Sequence, residues 1–386
     1  MRKIVTILII VDFFSSCNEG KVKTSMREID SVLMEQVEGD NTPSIQYILF
    51  NKDSIIKRYH HGLGDIQESK KIDAHSTYNA FSVTKTFTAL AILQLAEQQK
   101  LDIEQPISKY LPDFPYGGEI TIRQLLAHSA GIPNPIPLSW IHLTSEHNSF
   151  DRNEFFKKIF VKNNKPKSKP NEKYFYSNLG YVLLGQLIEV VSGTTYEAYI
   201  NEHIIKKLGV ETHALGFEIQ DTGMHAKGYH KKRSFSNLIL GFFIDKAKYM
   251  GEPEGNWKPF KNFYVNGSAY GGLIGTPDAF VKYIQELLKP NSVLITDNSK
   301  RLLFIESKTS DNKPTGMCLS WFSGELKGNR YFAHAGGGGG YYCEIRIYPD
   351  VGMGSVVFFN RTGMSDERFL DKVDKVYFES NSNTLD

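Results

Sequence analysis

Ser82 and Lys85 stand three residues apart at the head of an apolar run with helical spacing, in the stretch Phe81-Ser82-Val83-Thr84-Lys85. On a helix, positions i and i+3 share a face, so the Lys amine reaches toward the Ser hydroxyl. The positive end of the helix dipole disfavours a protonated Lys at that place, and burial adds to the effect. A neutral Lys can take the Ser proton. The free backbone N–H of Ser82 at the helix start can also donate to a developing oxyanion. The spacing recurs at Ser54 with Lys57 and at Ser310 with Lys313. The first pair falls in an expected strand, where i and i+3 point to opposite faces, and the second in a polar loop that contains Pro. Only Ser82 opens a helix, and the pattern carries weight only with the other groups that chemistry at a Ser needs.

Two further sets of residues supply such groups. Tyr176-Ser177-Asn178 lies where a polar loop gives way to an apolar helix. A Tyr and an Asn two apart on a turn aim into one cleft, a phenol able to exchange protons and an amide able to hold a carbonyl. Tyr199 with Asn201 and Tyr264 with Asn266 repeat the spacing, the former inside a helix where i and i+2 diverge. The third set is His334-Ala335-Gly336, followed by Gly through position 340. A strand edge with Gly where a side chain would obstruct lets a substrate backbone lie against it and leaves N–H groups for an oxyanion. His334 would then meet a polar or anionic group at the far end of the substrate. The plain alternative is a flexible hairpin loop with a surface His, and His60-His61-Gly62 shows how readily the short pattern arises.

The elements that must position these groups follow from periodicity. Residues 25–38 have helical apolar spacing, closed by Gly39 and Asp40; 45–50 and 55–59 read as a hairpin across Asn51, Lys52 and Asp53. Helical spacing returns at 84–99, 179–191 and 196–208, the last two closed by Gly193 and Gly209. Strands are expected at 317–322, 341–348 and 354–359, and a final helix at 367–378. The fold class is therefore α/β of the α+β type. Both chain ends, 22–80 and 270–380, build one antiparallel sheet with flanking helices, and 81–269 forms a mainly helical insertion. A length of 386 residues, 41% hydrophobic and 23% charged, suits a globular chain with a substantial core. Its net charge of +2 gives no field for gathering nucleic acid. Cys318 and Cys343 are too few for a disulfide framework and read as core residues. No metal and no cofactor is expected, because the His are scattered and no His-Glu-x-x-His or paired Cys spacing occurs.

In order and spacing, the three sets resemble the class C β-lactamase, D-alanyl-D-alanine carboxypeptidase and serine esterase family of penicillin-recognising hydrolases. Leu125-Leu126-Ala127-His128-Ser129-Ala130-Gly131 is similar to that family's Leu-Leu-x-His-Thr-Ser-Gly segment. The run from Asn178 to Gly185 resembles its Ser-Asn-x-Gly-Tyr-x-Leu-Leu-Gly helix start, and Gly271-Gly272-Leu273 with Thr276, Asp278 and Phe280 resembles its Gly-Gly-Leu segment. The resemblance places one β-lactamase/transpeptidase-like unit over 40–361. It implies Ser82 as acylated nucleophile, Lys85 and Tyr176 as shared proton carriers, Asn178, His334 and Gly336 at the substrate, and the N–H groups of Ser82 and Gly337 as oxyanion hole. His128 belongs to a segment that is structural in the family.

Departures bear on substrate. His334 stands where the family's β-lactamases carry Lys, which tilts toward peptidase-like or esterase-like members, since His holds a carboxylate less securely at neutral pH. Lys313-Pro314-Thr315-Gly316 is a decoy for the Lys-Thr-Gly form, ahead of the strand expected at 317–322. Asn171 replaces a frequent Gly and tolerates left-handed angles. No Glu suggests a separate deacylation base, so Lys85 and Tyr176 serve both half-reactions. The expectation is an exported serine hydrolase acting through an acyl-enzyme on an amide, ester or β-lactam, with a D-amino-acid peptide or ester favoured. The alternative is a catalytically silent protein that binds cell-wall peptide or senses β-lactam. A small-molecule or peptide partner is expected, and no nucleic acid. Residues 1–17 resemble a bacterial lipoprotein signal, with Arg2 and Lys3, an apolar run and Ser15-Ser16-Cys17. That implies acylation of Cys17 and a lipid-anchored place in the cell envelope.

Overall fold

The computed structural model describes residues 25–362 and 368–381; the expected signal, with Cys17, lies outside them. A seven-stranded sheet runs in the order Phe322–Leu326, Asn329–Gly338, Tyr341–Tyr348, Met353–Phe359, Ser44–Asn51, Ile55–Asp65 and Lys70–Lys71. Its neighbouring strands pair antiparallel, and the join of the chain ends is Ser44–Asn51 against Met353–Phe359, with Ile45 opposite Phe359 and Asn51 opposite Met353. Both strands are buried on both faces, which is why they read as continuous apolar runs. Asn51 turns the first hairpin by accepting at Oδ1 from the N–H groups of Asp53 and Ser54.

Alternation along the central strands divides the core. Ile45, Tyr47, Leu49, Val357 and Phe359 pack with Ile29 and Leu33 of helix 25–38 and Leu370 and Val373 of helix Leu370–Asn381. Ile48, Phe50, Val356 and Phe358 face the large helical layer. Within that layer, helix Thr84–Glu97 is buried from Thr84 to Leu95, as an all-round apolar helix must be. Helix Asn178–Ser192 packs near it, capped by the Ser177 side chain at its start and by Gly193 with φ 74° at its end. Gly185 allows a close approach: a Cβ there would sit 2.6 Å from the Ala269 Cβ.

Three expectations from periodicity are corrected. Residues 317–321 are buried but form no strand; Ser320 has φ 69°, its N–H donates to the Leu126 carbonyl, and the strand begins at Phe322. Residues 196–208 begin as an α-helix at Tyr196–Ile200, widen to a π-turn at Asn201–Ile205 and tighten to a 3₁₀ turn at Lys206–Leu208. Ser54 lies in the turn ahead of strand Ile55–Asp65 rather than in it, and Lys57 binds Asp30 at 2.7 Å. Among the described residues no helix is long and apolar enough to cross a membrane.

Candidate active site

Ser82 lies in a 3₁₀ turn, Phe81–Val83, that runs directly into helix Thr84–Glu97. Phe81 enters it with φ 43°, a left-handed angle that a bulky residue adopts only under constraint. The constraint is visible: its ring sits between Phe263 and Tyr341, with centroids 6.3 and 6.4 Å away. Against this turn runs strand Asn329–Gly338. A Cβ on Gly336 would lie 2.1 Å from the Ala80 carbonyl oxygen and 3.0 Å from the Ser82 nitrogen, so only Gly lets the strand meet the nucleophile turn. The outer strand Phe322–Leu326 ends its pairing at Ala333, leaving the edge from His334 to Gly338 uncovered on that side.

Lys85 is fully buried, and its Nζ meets three groups: Ser82 Oγ at 3.0 Å, Asn178 Oδ1 at 2.9 Å and the Tyr270 carbonyl at 2.7 Å. No carboxylate pairs with it among the described residues, and burial lowers its pKa well below the ordinary value. A neutral amine has two N–H donors and one lone pair. The carbonyl and amide oxygens can only accept, so the lone pair falls to the Ser82 hydroxyl. The rings of Tyr176, Tyr181 and Tyr270 stand 5.0, 5.5 and 5.4 Å from the same nitrogen, and their π faces favour a positive charge that appears there.

Tyr176 donates to Ser82 Oγ at 2.9 Å. Burial raises its pKa, outweighing the Ser82 hydrogen bond, and keeps it a phenol. His128 holds it in place, with rings 4.2 Å apart and the Ser177 N–H donating to His128 Nδ1 at 3.1 Å. That bond puts the His128 proton on Nε2, and burial keeps the ring neutral. Asn178, at the helix start, is braced by Asn134 Oδ1, which accepts from its backbone N–H at 3.0 Å and its Nδ2 at 3.1 Å.

The structure thus brings Ser82, Lys85, Tyr176 and Asn178 into one hydrogen-bonded group, with Gly336 against it and Gly337 next in the strand. Asn134 and Tyr270 belong to the same group and carried no local signal; Tyr270 merely precedes the Gly271-Gly272-Leu273 segment. The other Ser-x-x-Lys pair, Ser310 and Lys313, lies in an exposed loop where Lys313 binds Asp311 at 2.7 Å. The decoy still matters in one respect, since Thr315 and Gly316 form part of the cleft wall.

His334 stands where burial decides its charge. It borders a cleft of about 880 Å³ along the open strand edge, yet its side chain is buried and its Nδ1 bonds the Ala335 carbonyl at 2.8 Å. Burial, with Lys85 nearby, pushes its pKa down to about 3. It offers a substrate no positive charge. A second, apolar recess of about 60 Å³ opens on the other side of 337–339, walled by Phe81, Leu138, Trp140, Leu240, Ile244 and Phe260.

Comparison with known proteins gives the family and the fold. The family model described as Beta-lactamase matches residues 29–376. The chain belongs to the beta-lactamase family. As a member of that family of serine hydrolases it is 31% identical to Protein flp of Staphylococcus aureus (strain MW2) over 191 residues, 48% of this chain and 37% of the relative. Identity to the same-named protein of strain MRSA252 is 28% over 312 residues, 75% of this chain and 59% of the relative. A relative from Bacillus subtilis (strain 168), named as a penicillin-binding protein, is 27% identical over 303 residues, 76% and 63% of the two chains. The chain therefore spans less than two thirds of the length of these relatives. In fold it is similar to D-amino acid amidase from Ochrobactrum anthropi SV3, with TM-score 0.73 and 17% identity over 95% of this chain and 100% of that one. The octameric penicillin-binding protein homologue from Pyrococcus abyssi superposes with TM-score 0.71 and 22% identity, covering 93% and 76%.

Proposed function

We propose that this chain hydrolyses amides or esters that carry no free carboxylate, D-amino-acid derivatives favoured, through an acyl-enzyme on Ser82. The observation that carries the proposal is the buried Lys85 amine, 3.0 Å from Ser82 Oγ, with its two other contacts both obligate acceptors. Lys85 takes the hydroxyl proton as Oγ attacks the substrate carbonyl, and the three tyrosine rings stabilise the ammonium that forms. The N–H groups of Ser82 and Gly337 receive the oxyanion. As the carbonyl re-forms, the bond to the leaving nitrogen or oxygen breaks and Tyr176 gives that atom its proton; the phenolate then recovers a proton from Lys85. Water repeats the sequence on the acyl-enzyme, and Ser82 leaves with its proton restored. Asn178 Nδ2 orients the substrate carbonyl group.

Two features favour a substrate with an apolar substituent and no free carboxylate. His334 is neutral, so no charge at that position rewards a free carboxylate. The recess beside 337–339 suits an apolar substituent, whose burial contributes roughly 25 cal/mol per Å². Export and a lipid anchor at Cys17 in the cell envelope belong to the same proposal and rest on the sequence alone.

A substrate panel tests this reading. Amides and p-nitrophenyl esters of D- and L-phenylalanine, a peptide ending in D-alanyl-D-alanine, and a penicillin are compared by kcat/KM. The D-phenylalanine amide or ester is expected to lead. A preference of tenfold or more for the free-carboxylate peptide or the penicillin would reject it, and labelling without turnover would favour the silent binding protein.

A further inference from the structure

The segment from 231 to 249 stands out from the rest of the surface. Ser234 caps a short helix, Phe235–Leu240, and Asp245 caps another, Lys246–Tyr249. Leu240 and Ile244 point inward and wall the apolar recess beside the nucleophile turn. The outward side is also apolar: Phe235 is 76% exposed, Leu238 67%, Phe242 82% and Phe243 38%. Phe235 and Leu238 lie three apart on the helix, and Phe242 follows in the turn just beyond its end. Single exposed apolar residues are ordinary, whereas a cluster of this size marks a surface that meets something other than water.

The charges around it indicate what that is. Residues 231–261 contain seven Lys or Arg and three Asp or Glu, in a chain whose whole net charge is only +2; two of the seven, Lys231 and Lys248, pair with Asp40 and Glu146 from outside the segment. Of the three acids, Glu254 is committed to Lys227 and Tyr229, and Asp245 caps a helix. Lys232 and Arg233 directly precede the apolar helix, are exposed, and form no ion pair among the described residues. A basic rim around an apolar face matches a surface with anionic headgroups above an apolar layer. A second copy of the chain fits poorly, since a symmetric contact would set the basic rim of one copy against that of the other.

We propose that this projection docks the protein on anionic bilayers. Phe235, Leu238 and Phe242 enter the headgroup–acyl boundary while Lys232 and Arg233 meet lipid phosphates. Because Leu240 and Ile244 join the projection to the recess at 337–339, docking sets the reactive cleft at the bilayer surface, where membrane-held substrates lie.

The test uses the full chain carrying Cys17→Ala, which removes acylation at that residue, and Phe242→Trp as a local reporter. Trp140, Trp257 and Trp321 are buried, so a response to lipid comes from position 242. Vesicles of phosphatidylcholine with phosphatidylglycerol, and of phosphatidylcholine alone, are prepared with brominated acyl chains. The expected result is a blue shift and quenching of the reporter emission with the anionic vesicles. Partitioning should be at least about tenfold weaker with the neutral ones, or after Lys232→Glu with Arg233→Glu. Emission unchanged by either vesicle overturns the proposal, as does equal quenching by both. A blue shift that grows with protein concentration in the absence of lipid also overturns it, and makes the patch a contact between copies.

Discussion

At Lys85 the protonation state is decided by what surrounds the amine. Two oxygens that can only accept, a hydroxyl and three aromatic faces surround it. Lys85→Met should therefore lower the acylation rate by about 10³-fold or more. Thermal stability should fall only modestly, by about 1–3 kcal/mol, because Met fills the space but leaves Asn178 Oδ1 and the Tyr270 carbonyl without their donor. Stopped-flow acylation with an activated ester and a melting curve check both. The acid limb of kcat/KM should be set by Lys85, and His334→Gln should leave its position unchanged, since His334 titrates only near 3. Residues at this scale were unevenly legible. Ser82, Lys85, Tyr176 and Asn178 stand out because each sits where a polar turn meets an apolar helix. Asn134 does not, because it lies in a Pro-flanked loop and acts through a residue 44 positions away. The lost charge of His334 comes from burial by distant segments, which no local pattern reveals.

Among the elements, the Gly run at 336–340 is a packing requirement rather than a flexible loop. Gly336→Ala should cost about 1–3 kcal/mol, the range for overpacking, because the Ala80 carbonyl occupies the space. It should also reduce acylation, since the strand must retreat from Ser82. Denaturant unfolding and ester turnover on the same sample measure the two effects. The strand at 317–322 was misjudged because burial and pairing look alike in a short apolar run. Cys318 and Ser320 instead bond the Trp321 and Leu126 carbonyls, and the left-handed Ser320 breaks any extended course. In 196–208 the buried Tyr196, Tyr199, Ile200, Ile204 and Ile205 keep helical spacing, which cannot separate an α-turn from a π-turn. The central strands and helices 25–38 and Thr84–Glu97 were legible because length and apolar patterning agreed with burial.

For the whole molecule, burial of neutral histidines ties stability to pH. His225 has Thr77 at Nδ1 and Tyr341 at Nε2, and its pKa, like that of His334, falls from 6.5 to about 3. The unfolded chain binds these protons first, so stability is full above about 6.5 and is lost as pH falls toward 3. At pH 5 each should cost about 2 kcal/mol relative to pH 7. The melting temperature should be flat from pH 7 to 8 and drop below 6, and His225→Asn should flatten part of that slope. The joining of the chain ends in one sheet was readable from apolar runs at both termini; the relation of the 231–249 projection to the cleft was not, since it depends on tertiary placement of Leu240 and Ile244.

Intact-protein mass spectrometry after exposure to a fluorophosphonate tests the central claim most directly, with Ser82→Ala and Lys85→Met run beside the parent. One phosphonyl adduct on the parent, none on Ser82→Ala and slow addition to Lys85→Met is the predicted result. An adduct that survives Ser82→Ala, or a folded parent that gains no mass, would contradict the assignment of Ser82 as the acylated nucleophile.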